Sequence, residues 1–433
     1  MVNVFKFGGA SVKDADSVRN VAAILRKHSP GKLVVIVSAM GKTTNALEKV
    51  LNAWYENDER IYTFVKEVIG YHQLILSDLF PYKSHPAYYE TDLLFGQLEG
   101  YLSTPPSLNY DFDYDQIVSF GELISTTIIN AYLVSEGFNC RWFDVRELIR
   151  TDATWREGKV DWETTEKQIQ GLVSGFLENA GNTHPIALTQ GFLGATADGA
   201  TTTLGREGSD YSAAIFSYVL DADEMTVWKD VPGILNADPK VFNDTNLLKH
   251  ISYREAIELT YYGASVIHPK TIKPLQNKGI PLRVRSFLHP DAAGTIIGPS
   301  PENMKETDDA EFPSIILKSD QVLLSLSPKD FSFMAEENLS EIFSALAASG
   351  IRVHMMQTSA ISFTICMDRN DRKIQKLTSI LGGNFSYRYN TGLQLITIRH
   401  YDQNSVNLLL TGRHLLVEQR SRSTAQFVVK EEH

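Results

Sequence analysis

Short apolar runs alternate with longer amphipathic stretches from residue 2 to about residue 297. The apolar runs at residues 4–7, 32–37, 186–189, 225–228 and 282–285 predict strands. The run at residues 32–37 is almost wholly apolar, which is typical of a strand covered on both faces. Helices are predicted at residues 14–26 and 121–135, with a helical insertion between residues 54 and 114. This alternation predicts an α/β domain with helices layered on a sheet.

The pattern changes after residue 298. Residues 299–312 are polar and acidic and predict a linker. Beyond it, strands are predicted at residues 321–326, 351–357, 360–367, 393–399, 414–419 and 426–430, and helices at residues 338–349 and 372–381. We therefore expect a catalytic domain at residues 1–298, a linker at 299–312 and a smaller α+β region at 313–433.

The composition excludes several classes of function. The 433 residues carry a formal net charge of −11, and no basic stripe suited to nucleic acid is present. The two cysteines, Cys140 and Cys366, lie far apart, so neither a disulfide scaffold nor a structural zinc site is expected. The chain begins without a signal-peptide pattern, and no apolar run approaches the length of a membrane span. We expect a cytoplasmic protein without a membrane or nucleic-acid partner.

The first candidate site is the segment of residues 4–11, where a strand ends at Gly8-Gly9. Adjacent glycines allow a sharp turn and bring bare N–H groups close to a ligand. The following helix would add the dipole of its N-terminus, and Lys6 would then lie where a phosphate binds. A strand, a turn and a solvated lysine explain this segment equally well.

Two further segments offer polar side chains. Residues 38–45 follow a strand at the sheet edge where α/β proteins bind ligands, although Thr43 or Thr44 could instead cap a helix. Residues 119–122 are predicted to open a helix. Glu122 would there either complement the helix dipole or hold an ammonium group.

The most specific segment is residues 201–210, in which Arg206 lies between Gly205 and Gly208. A guanidinium on a tight loop suits a carboxylate or a phosphate. Ser209 and Asp210 either cap the next helix or join the site. Residues 228–240 predict a binding loop with a Pro-Gly turn. His268, before a proline, is interpreted as a structural histidine rather than a base.

In their order and spacing, these segments resemble the motifs of aspartate kinases in the amino acid kinase superfamily. They are K-F-G-G-A-S, S-A-M-G-K-T-T-N, S-F-G-E, T-T-L-G-R-E-G-S-D, D-V-P-G-I and G-A-S-V-I-H-P. The resemblance covers about residues 2–430. It implies an αβα sandwich that binds ATP and aspartate at the carboxyl edge of its sheet, followed by ferredoxin-like ACT-type modules. The implied reaction uses ATP and Mg²⁺ to convert L-aspartate to 4-phospho-L-aspartate, the first step toward lysine, threonine and methionine. A homodimer or higher homo-oligomer is also implied.

The resemblance assigns roles to individual residues. The catalytic residues would be Lys6, Asp210 and Arg206, with Lys6 on the transferring phosphoryl group. The substrate-binding residues would be Ser38, Thr44, Glu122, Arg206 and Ser209, with Glu122 on the ammonium of aspartate. The ATP-binding residues would be Lys6, Phe7, Gly8, Gly9, Ala10, Lys229, Asp230, Leu235, Lys240 and Ser265. The effector region would comprise Met355, Met356, Gln357, Thr358 and Ser359.

The sequence departs from the family pattern at four positions. Glu207 replaces a glycine and places a charge beside the substrate loop, and Leu235 replaces a tyrosine near the nucleotide. Ser265 replaces a lysine on the ATP side, and His354 stands where lysine-inhibited relatives carry an acidic residue. The segment from residue 393 onward is short for a second ACT module. The alternatives are a kinase for another acidic amino acid and a catalytically weak regulatory subunit that binds an effector.

Overall fold

The computed structural model describes residues 2–29, 31–179, 184–264, 267–299, 312–330 and 332–431. The chain forms two compact units. The first comprises Met1–Ile234, Lys249–Ile257 and Val266–Pro301, and the second comprises Leu235–Leu248, Glu258–Ser265 and Glu302–His433. Most of the expected linker, residues 300–311, lies outside the described residues.

The first unit is built on a largely parallel sheet. The strands before residue 300 are β1 Val2–Phe7, β2 Lys32–Val37, β3 Cys140–Phe143, β4 Ile186–Gln190, β5 Leu193–Ala195, β6 Thr201–Thr203, β7 Glu224–Lys229, β8 His250–Ser252, β9 Leu282–Ser286 and β10 Thr295–Gly298. Eight of them form one sheet in the order β3-β4-β2-β1-β7-β9-β10-β8. Neighbouring strands from β3 to β9 are parallel, and β10 is antiparallel to β9. The α/β prediction is confirmed.

Helices cover both faces of this sheet. The helices before residue 300 are α1 Ala15–His28, α2 Thr43–Tyr55, α3 Ile61–Leu79, α4 Pro86–Leu102, α5 Tyr110–Ser135, α6 Trp162–Ile169, α7 Gly175–Asn179, α8 Gly208–Val219, α9 Tyr253–Tyr262 and α10 Pro269–Lys278. Side chains of a strand alternate between faces. Phe5 and Phe7 of β1 therefore share one core with α1 and α5, while α8 contacts β1 from the other side. This alternation places the side chain of Lys6 on the α8 face.

Helix α5 begins earlier than the sequence predicts. Asn109 caps it by accepting from the Phe112 N–H, so Gly121 and Glu122 lie in the middle of a 26-residue helix and not in its first turn. The dipole interpretation of Glu122 is therefore wrong. A Cβ at Gly121 would lie 3.0 Å from Ala39 Cβ, so the glycine lets α5 approach the loop after β2 closely.

Helix α5 is longer and more apolar than predicted, so the expectation that no apolar segment approaches the length of a membrane span is wrong. By length and composition alone, this is the one helix among the described residues that could cross a membrane. However, 72% of its most apolar window is buried inside the protein. The helix also carries buried carboxyl groups at Asp113, Asp115 and Glu122. A core helix accounts for these features.

The second unit is an antiparallel sheet with helices. Its strands are β11 Ser314–Pro328, β12 Val353–Thr358, β13 Phe363–Asp368, β14 Phe385–Arg399, β15 Arg413–Arg420 and β16 Thr424–Glu431, and its helices after residue 312 are α11 Glu336–Ala348, α12 Asp371–Leu381 and α13 Gln403–Leu410. The strand order is β12-β13-β11-β14-β16-β15. From β11 to β14 the elements follow the β-α-β-β-α-β order of a ferredoxin-like module. The core of that module contains Val322, Leu324 and Leu326, every second residue of β11.

Replacing Gly9 by alanine tests the close approach of two loops at the carboxyl edge of the first sheet. A Cβ at Gly9 would lie 2.7 Å from Gly41 O and 2.8 Å from Ala39 O, and both are backbone atoms. We expect Gly9→Ala to lower the free energy of unfolding by about 1–3 kcal/mol, measured by thermal or urea unfolding.

Gly96→Ala is the matched control. A Cβ at Gly96, on the exposed face of α4, meets no atom within 4 Å. This change should raise stability by about 0.5–1 kcal/mol through helix propensity. Equal effects of the two substitutions would contradict the packing argument.

Candidate functional site

A cavity of about 700 Å³ opens at the carboxyl edge of the parallel sheet. This is the edge at which open α/β sheets bind ligands. Three of the sheet's strands supply Lys6 near the end of β1, Ser38 directly after β2, and Lys229 at the end of β7. The remaining lining residues are Thr44, Tyr114, Glu122, Arg156, Glu157, Phe192, Thr203, Gly205, Arg206, Glu207, Gly208, Ser209 and Asp210.

A buried ion pair lies at the base of the cavity. Lys6 Nζ is 2.7 Å from Asp210 Oδ1, and the two side chains are only 11% and 4% exposed. Asp210 is in the first turn of α8, so the helix dipole favours its negative charge. Lys229 Nζ lies 4.0 Å from the second carboxylate oxygen of Asp210. Two lysines from neighbouring strands thus flank one carboxylate.

Opposing effects act on the pKa of Asp210. Burial would raise it, but the nearby ammonium groups of Lys6 and Lys229 outweigh burial and hold the pKa below its ordinary value. Asp210 therefore stays ionised at neutral pH. It can hold the Lys6 ammonium in place without taking its proton.

Glu122 has one carboxylate oxygen without a hydrogen-bond partner. Its Oε1 accepts from the Ala39 N–H at 3.3 Å, while its buried Oε2 has no hydrogen-bond partner among the described residues. Burial raises the pKa of Glu122 to about 8. A buried carboxyl group that lines a cavity and lacks a partner suits a cationic donor on a ligand.

The hydroxyl groups of Ser38 and Ser209 meet between the two loops that carry them. Ser38 Oγ donates to Ser209 Oγ at 3.0 Å, and Ser125 on α5 binds the Ser38 carbonyl at 2.8 Å. A Cβ at Gly191, directly after β4, would lie 2.5 Å from Ser209 Cβ. A glycine is therefore required where this loop passes the start of α8.

The loop of Arg206 is held in left-handed backbone conformations. Gly205 has φ of +79° and Glu207 has φ of +55°. A glycine, which the family pattern leads one to expect at position 207, would suit this conformation, and Glu207 adopts it at some cost. Its Oε2 accepts from the backbone N–H of His268 at 2.9 Å. One oxygen of the Glu207 carboxylate is thus bound by the backbone, and both Glu207 and the exposed Arg206 line the cavity.

His268 caps α10, as a structural histidine would. Its Nδ1 accepts from the Lys270 N–H at 3.2 Å. At α2, in contrast, Thr43 Oγ1 donates to the Met40 carbonyl at 2.6 Å and does not cap the helix. Thr44 lines the cavity.

The Gly8-Gly9 segment differs from its prediction in two respects. The Phe7 side chain is fully buried and stacks on Trp228 at 6.0 Å between ring centroids, so it cannot contact a nucleotide. The segment Gly9–Val12 forms a 3₁₀ turn, and α1 begins only after it. Asp14 caps α1 by accepting from the Ser17 N–H at 2.8 Å. The α1 dipole is therefore directed at a protein carboxylate and not at a bound anion.

The other predicted nucleotide residues are distributed differently. Ala10 lies exposed in the 3₁₀ turn, and Asp230 is exposed directly after β7. Leu235 and Lys240 belong to the second unit, and Ser265 lies outside the described residues. Within the part of the chain that the structure describes, no cluster of three or more His, Cys, Asp or Glu side chains could hold a metal.

Four of the five residues of the predicted effector region lie on the edge strand β12, and Ser359 follows it. Met355 is buried, Met356 is half exposed, and Ser359 Oγ lies 2.7 Å from Ser362 Oγ. The two other members of the region, Gln357 and Thr358, are exposed.

His354, beside this region, already has an ammonium neighbour. Its Nδ1 lies 3.1 Å from Lys318 Nζ, and its Nε2 lies 3.0 Å from Asp368 Oδ1. Burial and the Lys318 charge lower the pKa of His354, so the ring is neutral at pH 7.

Several cavity residues were missed by the sequence analysis. Tyr114 and Phe192 lie next to predicted elements but in no motif, and Arg156 and Glu157 lie in a loop that carried no signal. Asp115 sits behind the cavity, where it accepts from Thr203 Oγ1 at 2.7 Å and from the Arg156 N–H at 2.9 Å. The threonine run 201–203 could have indicated the Thr203 contact.

Comparisons with known proteins agree with this geometry. A model of the amino acid kinase family matches residues 1–286. Lysine-sensitive aspartokinase 3 of Escherichia coli is 31% identical over 375 residues, which cover 84% of this chain and 78% of that protein. The structure of E. coli aspartokinase III in complex with aspartate and ADP matches with a TM-score of 0.81 at 27% identity, covering 99% of this chain and 96% of that one.

Plant relatives are much longer than this chain. The chloroplastic bifunctional aspartokinase/homoserine dehydrogenase 2 of Arabidopsis thaliana is 28% identical over 402 residues, which cover 90% of this chain but only 43% of that protein.

The raised pKa of Glu122 predicts a pH-dependent stability. The folded protein holds the Glu122 proton up to about pH 8, whereas the unfolded chain releases it near the ordinary value of 4.5. Between these values the folded state binds more protons, so the Glu122 contribution to the free energy of unfolding falls as pH rises. Glu122→Gln removes this contribution.

Thermal unfolding from pH 5 to pH 9 measures the effect. We compare the Tm of the parent with the Tm of Glu122→Gln at each pH. The parent should lose Tm relative to Glu122→Gln as pH rises, and the difference should level off above about pH 8. Glu67→Gln, at an exposed position on α3, is the control and should leave the two Tm curves parallel. Parallel curves for Glu122→Gln as well would contradict the assignment.

Proposed function

The chain belongs to the amino acid kinase family, and within it to the aspartokinases, and from this premise we propose that it transfers the γ-phosphoryl group of ATP to the side-chain carboxylate of L-aspartate. The observation that carries the proposal is that one cavity contains both the Lys6–Asp210 pair and the Glu122 oxygen that has no hydrogen-bond partner in the described part of the chain. The first group suits a phosphoryl group and the second suits an ammonium.

Aspartate is proposed to bind between Glu122 and Arg206. Its ammonium would donate to Glu122 Oε2, which would release the Glu122 proton and ionise the carboxyl group. Arg206 would bind the carboxylate that does not react, because its guanidinium is exposed on the cavity rim. Ser38, Thr44 and Ser209 would complete the substrate pocket with hydroxyl groups. The complex of the E. coli relative with aspartate and ADP supports both ligands.

ATP is proposed to place its phosphates over the Gly8-Gly9 turn, between Lys6 and Lys229. Both ammonium groups lie at the carboxyl edge of the sheet, so they would neutralise charge on the phosphates. Mg²⁺ would be held mainly by phosphate oxygens, and Asp210 would supply a carboxylate beside the two lysines. When bound, the ion would neutralise phosphate charge. Asp230, Leu235, Lys240 and Ser265 remain proposed nucleotide contacts.

The residues that line the cavity account for the chemistry. A carboxylate is already ionised at neutral pH, so an oxygen of aspartate can attack the γ-phosphorus without a general base. The new O–P bond forms as the bond to the bridging oxygen of ADP breaks, and that oxygen leaves with its electron pair. The transferring group carries negative charge throughout. Lys6, fixed by Asp210, stabilises this charge with no reorganisation cost.

A substrate panel tests the proposal directly. ADP release is measured with Mg·ATP and L-aspartate, L-glutamate or N-acetyl-L-glutamate, with hydroxylamine present to trap an acyl phosphate as its hydroxamate. We expect ADP and hydroxamate in equal amounts with aspartate. Turnover with another acid alone would move the assignment to a different amino acid kinase. No turnover with any acid, in protein shown to be folded, would favour a regulatory subunit.

Removing the Lys6 ammonium should slow the reaction strongly. We expect kcat to fall by at least about a hundredfold in Lys6→Ala, the scale of one electrostatic contact to a transition state. Among the residues that the structure describes, this change leaves the buried Asp210 with only Lys229, at 4.0 Å, as a cationic neighbour, so Lys6→Met/Asp210→Asn is made as well, because it removes both charges of the pair and retains the volume. Lys66→Ala, at an exposed position on α3, is the control. Turnover near the parent value in both Lys6 variants would remove Lys6 from the mechanism.

The second unit is proposed to bind an amino-acid effector and to join chains into a homodimer or higher oligomer. One relative is described as lysine-sensitive. Among the strands that the structure describes, β12 is at one edge of its sheet with one side unpaired, and such edges are commonly paired between chains. We expect inhibition by lysine or threonine in the ADP assay, and at least a dimer by light scattering at micromolar concentration. A monomer would contradict the pairing.

A further inference from the structure

Arg156 lies on a loop that is fixed against the walls of the substrate cavity. Its φ is +66°, a left-handed conformation that is uncommon for a residue other than glycine. Its N–H donates to Asp115 Oδ2 at 2.9 Å, and the neighbouring Gly158 N–H donates to the Thr203 carbonyl at 2.8 Å. A strained conformation persists only where the surroundings enforce it, and such residues cluster at ligand sites.

The guanidinium of Arg156 is also held in place. Its central carbon lies 4.1 Å from the centroid of the Tyr114 ring, and Nη1 lies 3.3 Å from Asp111 Oδ1. The side chain keeps 42% of its surface exposed, and the residue lines the cavity together with Tyr114. A guanidinium stacked on a ring keeps most of its N–H donors free for a ligand. The Asp111 contact is exposed, so it competes weakly.

The loop of Arg156 adjoins the loop of Arg206. A Cβ at Gly205 would lie 3.3 Å from the Arg156 carbonyl oxygen. The cavity therefore has two arginines on adjoining loops, while Glu122 and the Lys6–Asp210 pair also line it. Aspartate has two carboxylates and one ammonium. With the reacting carboxylate at Lys6 and the ammonium at Glu122, the second carboxylate is left for the arginines.

We propose that Arg156 determines specificity for a dicarboxylic amino acid, by binding the non-reacting carboxylate of the substrate jointly with Arg206. This inference rests on the proposed function, because it assumes that L-aspartate is phosphorylated in this cavity. Arg156 would supply a second guanidinium for that carboxylate, and it lies outside the sequence motifs. The Tyr114 ring and the buried Asp115 position it.

The contact between Arg156 and the non-reacting carboxylate is tested by a thermodynamic cycle in which the protein and the substrate are each altered. Arg156→Gln is compared with the parent, using L-aspartate and its α-amide, which lacks the charge of the non-reacting carboxylate. For L-aspartate we expect KM to rise by roughly 10- to 100-fold in Arg156→Gln, the effect of a charge-assisted hydrogen bond, with kcat changed little. For the α-amide we expect the same substitution to change kcat/KM by less than about threefold. Arg156→Lys should recover part of the lost affinity for L-aspartate, because lysine retains the positive charge but not the forked donors of a guanidinium.

Further measurements separate this contact from a structural role and from the reaction itself. A loop that merely collapsed would raise KM for ATP and lower kcat/KM equally for both acceptors, and that result would overturn the proposal. An unchanged KM for aspartate in Arg156→Gln would also overturn it while leaving the proposed function intact. Asp111→Asn frees the guanidinium and should not raise KM for aspartate. If the parent protein did not phosphorylate aspartate at all, the proposed function would fail and this inference would fail with it.

Discussion

The buried pair of Lys6 and Asp210 is the constraint on which the rest of the site depends. Two charges with little exposure are tolerated inside a protein only when they are matched closely, because desolvating an unpaired ion is costly. The match requires β1 to place residue 6 on the α8 face and α8 to begin at the sheet edge. Lys229 on β7 then approaches the same carboxylate. Strand order, helix start and ligand cavity are thus linked through one interaction.

The situation of Glu122 is the opposite of that of the Lys6–Asp210 pair. The Glu122 carboxyl group is buried, and one of its oxygens has no hydrogen-bond partner among the described residues, so it destabilises the empty protein whenever it is ionised. A ligand ammonium would supply both the missing hydrogen bond and the missing charge. The site thus contains one ion pair that is complete without a ligand and one carboxyl group that would gain its partner from a ligand. The first can orient a phosphoryl group, and the second can select an amino acid.

The sequence predicted strands and motifs well, because apolar runs and glycine turns are local signals. It placed Lys6, Ser38, Thr44, Glu122, Arg206 and Asp210 as site residues, and all of them line one cavity. The sequence-based prediction failed where the structure depends on contacts with residues that are distant along the chain. The start of α5 depends on an Asn109 cap far from the S-F-G-E motif, and the first half of β14 is too exposed to show an alternating pattern. Arg156 owes its place to Asp115 and Tyr114, contacts that no local pattern reveals.

Proton release on aspartate binding tests the central claim most directly. Calorimetric titration of L-aspartate into the protein with Mg·ADP is performed at pH 7 in buffers of different ionisation enthalpy. Glu122 has a pKa of about 8 in the empty site. If it ionises against the ligand ammonium, as we propose, about one proton is released per aspartate bound. Glu122→Gln should release none. Tight binding of aspartate to the parent without proton release would contradict the account.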